Sequence, residues 1–194
     1  MKRKEQLILV RGGGDIASGT IYKLLQCGYS VLVLETEMPS AIRRYAAFSE
    51  AVYDGVSRVE DKTCRLAGNF REARKIMETG EAAMLVDPDC RVLKEACPFA
   101  LVDAILAKKN LGTSREMAPK TIALGPGFQA GRDADLVIET MRGHQLGRVI
   151  HEGSALPDTG VPGLIQGYGA ERVIHAPSSG VIRNQASIGD WVEQ

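Results

Sequence analysis

Apolar residues in this chain come in short runs, and most of these runs are followed by glycine or acidic positions. Residues 7–10 form the first run. It leads into Arg11, Gly12, Gly13, Gly14 and Asp15, and then into residues 16–27, whose apolar positions recur at helical spacing. The pattern predicts a buried strand, a tight glycine turn and a helix. After Gly28 and Tyr29, residues 30–34 make a second apolar run, closed by Glu35. Residues 69–79 predict a helix with Ala73, Ile76 and Met77 on one face, returning to a strand at 82–86. Further strands are expected at 99–102, 122–124, 136–138 and 149–150. Apolar runs alternating with helical or irregular stretches are what a doubly wound sheet requires. The fold class is therefore α/β, a Rossmann-like, mostly parallel sheet with helices on both faces, occupying residues 1–160.

Residues 161–194 differ in kind. Short β-prone runs over 172–192 are separated by proline, serine and glycine turns, which predicts a small C-terminal β module. Ala176-Pro177, Gly180-Val181-Ile182 and the later Ile188-Gly189-Asp190 with Val192 resemble the first half of a biotinyl- or lipoyl-type barrel-sandwich hybrid. A complete module of that kind needs a second such half, and no lysine stands on a β-turn here for modification.

The glycine turn carries the strongest chemical signal. Gly12, Gly14 and Ala17 match the G-x-G-x-x-G/A spacing of a pyrophosphate site. Glycine lets the backbone turn sharply and approach a ligand, and a small residue at position 17 lets helix and strand pack closely. The first-turn amides, with Gly13, Asp15 and Ile16 among the residues of the turn, then face an anion. Asp15 can serve as a helix cap or as a ligand contact. Glu35 lies 21 residues beyond Gly14, where such a fold places an acid on the ribose hydroxyls, or it simply ends a strand in solvent.

In an open α/β sheet the ligand sits beyond the carboxyl ends of the strands, so the loops there are expected to line one crevice. Gly125, Pro126 and Gly127 form either a plain turn or a second anion cradle. Arg142 and His144 stand in the loop after residue 138 as candidate polar contacts. Asp87, Cys90 and Asp103 follow strand ends and are the candidate catalytic groups; Cys90 lies between charged residues that can favour its thiolate. His144 and His151 match no compact ligand spacing, so no metal is expected. No nucleophile elbow or serine triad order is present.

Composition narrows the partners. Twenty-four basic residues balance 24 acidic ones, which gives no reason to expect nucleic acid or an anionic membrane as partner. The apolar segment behind the basic start of the chain is too short for a signal peptide or a membrane span. Cys27, Cys64, Cys90 and Cys97 show no C-x-x-C spacing, and Cys27 is expected on the sheet-facing side of its helix. Reduced thiols in a cytoplasmic protein are the expectation.

Taken together, several blocks carry a family likeness: residues 11–19, 41–44, 47–53, 108–113, 124–131, 137–150 and 153–160. They resemble the YqeB family, which accompanies selenium-dependent molybdenum hydroxylases, over nearly the whole chain. The chain is also distantly similar to the Rossmann half of the xanthine dehydrogenase accessory proteins. The resemblance implies a maturation role, with molybdopterin cytosine dinucleotide or a related cofactor as ligand and the hydroxylase apoenzyme or other maturation factors as partners. It implies no catalytic residue, and it implies that family members continue beyond residue 194 with the second half of the module. The residues alone leave open an NAD(P)-dependent oxidoreductase, a nucleotide-using transferase, a ligand-free structural adaptor and a homo-oligomer.

Overall fold

A computed structural model describes residues 5–193. The chain divides into two units, Met1–Asp158 and Thr159–Gln194. In the first, nine strands form one sheet: β1 (Leu7–Arg11), β2 (Ser30–Glu35), β3 (Val56–Val59), β4 (Lys62–Leu66), β5 (Ala82–Val86), β6 (Ala100–Asp103), β7 (Thr121–Leu124), β8 (Leu136–Ile138) and β9 (Val149–Ile150). Their spatial order is β3-β4-β5-β2-β1-β6-β7-β8-β9. All neighbours pair in parallel except the two edges, β3 with β4 and β8 with β9. With β4 set aside, the inner parallel strands run 3-2-1-4-5-6, the order of a dinucleotide-binding sheet. The topological switch, where the chain reverses its direction of travel across the sheet, falls between β1 and β6.

Strand alternation sorts the core into two layers. Ile8, Val10, Val31, Val33, Ala82, Met84, Ala100 and Val102 point to one face, where Ala17 and Ile21 of α1 (Asp15–Gln26) cover them together with Phe48 and Ala51. Leu9, Leu32, Leu34, Ala83, Leu85 and Leu101 point to the other, against Ala73 and Met77 of the helix at Phe70–Glu78. Between these helices lies α2 (Ala51–Asp54), so the one at Phe70–Glu78 is α3. Asn69 caps α3 by accepting the Glu72 amide at 3.0 Å. Helices thus cover both faces, as the periodicity requires. Beyond β6 the cover changes: the connections from β6 to β7 and from β7 to β8 carry no α-helix. There Phe128, Ala130 and Ala155 pack on Ala123 and Val137 from loops.

Three local expectations give way. The β3–β4 hairpin sits in a stretch for which no strand is expected, because its residues, Cys64 apart, are exposed or half-buried and mix charge with β-branched side chains. Cys27 is exposed as the C-terminal cap of α1 instead of facing the sheet. The runs expected to form a C-terminal β module carry no strand among the described residues. A strand exists only as part of a ladder, and among the described residues no ladder pairs these segments. That unit holds one short 3-10 turn at Ala170–Arg172 and an isolated Ile165–Tyr168 bridge, and it leaves Ile174, Val181, Ile182 and Trp191 largely in solvent. Among the described residues no helix is long and apolar enough to cross a membrane.

Two devices hold the helix-poor half. Gly127 has φ +104°, and a Cβ there would lie 2.5 Å from Lys109 Cα and 2.6 Å from its nitrogen, so the β7–β8 loop touches the β6–β7 loop backbone to backbone. Glu139, 2% exposed, accepts the amides of Thr140, Met141 and Leu156 at 2.7–2.8 Å. Burial by itself raises its carboxyl, but the three amide bonds outweigh that and hold it below the usual range.

Gly127→Ala is expected to cost about 3 kcal/mol in urea unfolding, from strain and overlap together. Glu139→Gln is expected to cost about 2 kcal/mol at pH 7, since one amide of the nest would face an NH2 group. Because the folded carboxyl titrates low, its contribution is complete above the unfolded value near about pH 4.3 and fades as pH falls through the folded value. The difference between wild type and Glu139→Gln should therefore shrink in acid, as paired urea titrations across that range would show.

Candidate functional site

The register of the β1–β6 pair sets Arg11 beside Asp103 at the carboxyl ends of both strands. Both are buried, at 5% and 1% exposure. Arg11 Nη1 reaches Asp103 Oδ2 at 3.4 Å and donates to Thr113 Oγ1 at 2.5 Å, and that hydroxyl donates to Asp103 Oδ2 at 2.5 Å. Arg11 Nη2 donates to the carbonyls of Pro88 and Leu111, each at 3.1 Å. One guanidinium therefore binds together the loops after β5 and β6. Between them opens a crevice of about 230 Å³, lined by Arg11, Gly12, Leu34, Glu35, Thr36, Pro88, Asp89, Ile105 and Leu111. It lies at the switch point.

The three glycines of the turn have different reasons to be glycine. Gly12 takes φ +92°, and a Cβ on it would sit 3.0 Å from Ile105 Cα. At Gly13 a Cβ would meet Met84 Cε at 2.9 Å and the Ser49 nitrogen at 3.1 Å. Packing and backbone conformation demand these two. Gly14 has φ −64° and ψ −178°, open to any residue, and nothing lies within 4 Å of its Cβ position. The fold does not require glycine there, while a ligand pressing on the backbone would.

Helix α1 begins at this point. Its first closed bond runs from the Ser18 amide to the Gly14 carbonyl, at 2.8 Å. The Ile16 amide donates to Asp15 Oδ1 at 2.8 Å, whereas the amides of Gly14, Asp15 and Ala17 meet no acceptor among the described residues. Asp15 pairs with Arg43, which offsets its charge at the mouth of the turn. Glu35 is held from two sides: Oε2 accepts the Gly13 amide at 2.7 Å and Oε1 accepts the Thr36 amide at 2.8 Å. The Gly13 amide thus brings Glu35 to the turn; Gly12 and Glu35 line the crevice, and Gly13, Gly14, Asp15, Ile16 and Ala17 continue the turn and helix start outside its lining. The pinning of Glu35 by Gly13 is invisible in sequence, because it joins residues 22 apart through the β1–β2 register.

The other candidates have structural tasks or lie elsewhere. Asp103 is consumed by Arg11 and Thr113 and also accepts the Ile105 amide at 3.2 Å. Asp87 accepts the amides of Arg91 and Val92, at 3.0 and 2.8 Å, and so caps the turn that follows β5. Cys90 is 5% exposed. Burial pushes its thiol up, and Asp87, Asp103 and Asp89 add to this against the opposing pull of Arg11, so the thiolate suggested by its charged neighbours is disfavoured. Gly125 donates its amide to the Ile138 carbonyl at 2.8 Å, and a Cβ there would strike Thr140 Oγ1 at 2.7 Å. Gly125, Pro126 and Gly127 line no part of the crevice, and the two glycines serve packing. Arg142 is exposed, and His144 borders a shallow hollow of its own loop, with Gln145, Leu146, Gly147 and Arg148. Among the described residues no cluster of His, Cys, Asp and Glu could hold a metal ion. Pattern reading missed Arg11 and Thr113; an arginine ending an otherwise apolar strand was the available signal.

Sheet order, glycine turn and switch-point crevice define a Rossmann-like α/β protein. YqeB of Escherichia coli (strain K12) is 52% identical over 189 residues, a match that takes in 97% of this chain and 35% of the relative. The chain belongs to the YqeB family, and it spans about a third of the length of the curated relative it matches. No family model and no solved structure matches it.

The burial of Cys90 has a direct consequence. A thiol reagent applied to the native protein should label the exposed Cys27 and Cys97 promptly, and Cys64 and Cys90 only on unfolding. Prompt native labelling of Cys90, located by peptide mass, would restore it as a reactive group.

Proposed function

We propose that this protein is an accessory factor in the maturation of selenium-dependent molybdenum hydroxylases. In this reading it holds a pyrophosphate-containing cofactor such as molybdopterin cytosine dinucleotide in the switch-point crevice. The observation that carries the binding reading is Gly14: a glycine that neither packing nor dihedral angles require, its amide one of three in the turn without an acceptor among the described residues. Those amides, of Gly14, Asp15 and Ala17, suit the phosphates. Glu35 suits a ribose, because two amides fix its direction and leave further lone pairs on each oxygen. The crevice, at about 230 Å³, falls below the roughly 300–1,000 Å³ of sites that enclose a whole drug-sized ligand. It suits one nucleoside end of an extended molecule.

The maturation role is what the resemblance to the YqeB family implies, and the state of the acidic and thiol groups supports handling over chemistry. When bound, the cofactor brings the metal centre destined for the hydroxylase. Asp87, Cys90 and Asp103, the groups nearest to a catalytic assignment, are each occupied or buried, which favours a carrier over an NAD(P)-dependent oxidoreductase or a transferase. The partners in this reading are the hydroxylase apoenzyme or other maturation factors. A cytoplasmic setting accords with four unpaired cysteines.

Calorimetric titration with molybdopterin cytosine dinucleotide, NAD, NADP and ATP distinguishes these readings. Tight binding of the molybdenum cofactor is expected. Response to NAD with turnover would replace the carrier with an oxidoreductase, and silence to all four would leave an adaptor. Gly14→Val should abolish binding while leaving the circular dichroism of the sheet intact, because its side chain would enter open space. Undiminished affinity in that variant would move the site away from the turn.

A further inference from the structure

We infer that a second copy of this chain docks on the face formed by residues 38–53, beside the glycine turn, and that the protein is a two-fold dimer. The inference concerns this surface and is independent of what the crevice binds. Among the described residues of the first unit, the large apolar side chains more than half exposed are Met38, Ile42, Tyr45, Tyr53 and Leu146. All but Leu146 lie in this one stretch, and Ile42 is 94% exposed. Apolar side chains scattered singly need no explanation, whereas a cluster marks a surface that another molecule covers.

The loop that carries Met38, Ile42 and Tyr45 is braced. At its start Thr36 donates its amide to Glu35, and at its end Ala47 and Phe48 are buried in the core. Between these anchors the Pro39 carbonyl accepts the Tyr53 hydroxyl at 2.7 Å, Arg43 pairs with Asp15, and Arg44 Nη1 lies 3.6 Å from Glu50 Oε1. These ties set Tyr53 against the neighbour of Met38, and the neighbour of Ile42 against that of the exposed Ile16, so the apolar residues form one patch. A surface already held in place loses little freedom on association. Tyrosine, methionine and arginine are also the side chains enriched where protein surfaces meet.

The charges around the patch select the occupant. Arg43 and Arg44 stand on its rim with Asp15, Glu37 and Glu50, so both signs share one border. A rim of a single sign would repel its own copy; a mixed rim turned through 180° sets cations against carboxylates. Arg43 approaches Asp15 through Nη2, is itself mostly exposed, and has further N–H donors for such a contact.

Sedimentation velocity on the full chain across a concentration series tests this. The wild type is expected to sediment as a dimer, with twice the 20.9 kDa of one chain. Ile42→Asp should weaken the dimer at least about thirtyfold, the scale of losing one central anchor. Its circular dichroism should stay that of the wild type, because so exposed a side chain holds nothing in the core. Leu146→Asp, the control at the remaining exposed apolar position, should leave the dimer intact. A wild type that stays monomeric up to about 100 μM, beyond the range of specific interfaces of ordinary size, would overturn the inference and leave the patch to a different protein. So would a dimer that Ile42→Asp leaves intact, or one that Leu146→Asp weakens as much.

Discussion

The Arg11–Asp103 pair is the constraint on which the crevice depends. A guanidinium and a carboxylate taken out of water are tolerable only when their remaining donors and acceptors are satisfied, and here Thr113, Pro88, Leu111 and Ile105 complete the set. Removing either partner would strand a buried charge, a loss on the order of 3–5 kcal/mol. The pair does not explain why the sheet forms, since the apolar strands would pair without it. What it settles is where the loops after β5 and β6 come to rest, and these loops are two walls of the crevice. Gly12, next in the chain after Arg11, is pressed on Ala104 and Ile105, next after Asp103. The glycine turn and the ion pair are two parts of one closure at the switch point.

That closure separates two differently built halves. On the β2 and β5 side, α1 and α3 sandwich the sheet, and their apolar stripes meet the strands' alternating residues in two layers. On the β7 and β8 side the cover is loop, and a loop must satisfy its own backbone where a helix would do so automatically. Glu139 meets that demand by gathering three amides onto one carboxylate, and Gly127 meets it by letting two loops touch without side chains between them. Anion-binding nests are usually read as ligand sites. In this half the protein's own carboxylate fills the nest, whereas at the start of α1 three amides stay without an acceptor among the described residues.

Much of this was legible in advance because it depends on neighbours in sequence. Burial and strand pairing impose a two-residue rhythm and helix packing a 3.6-residue one, so β5, β8 and β9 fall where the apolar runs end and α3 starts after its asparagine cap. The turn at Gly12 to Gly14 was legible for the same reason, being a local break between those two rhythms. The edge hairpin β3–β4 was not, since a half-buried edge need not alternate cleanly.

What the tertiary structure alone decided are the pairings of residues far apart in the chain. Arg11 meets Thr113 at a separation of 102 residues, and Glu35 meets Gly13 through the register of two strands. Cys90 is buried although its sequence neighbours are charged, because its environment is set by Arg11 and the core under α3 and not by Asp89 and Arg91 alone. The C-terminal runs are strand-like in composition yet form no strand among the described residues, because a ladder needs a partner that local composition cannot supply. Local rhythm fixes which segments are strands and helices; charge burial and hydrogen bonding depend on what arrives from elsewhere in the chain, and that is decided only when the sheet closes.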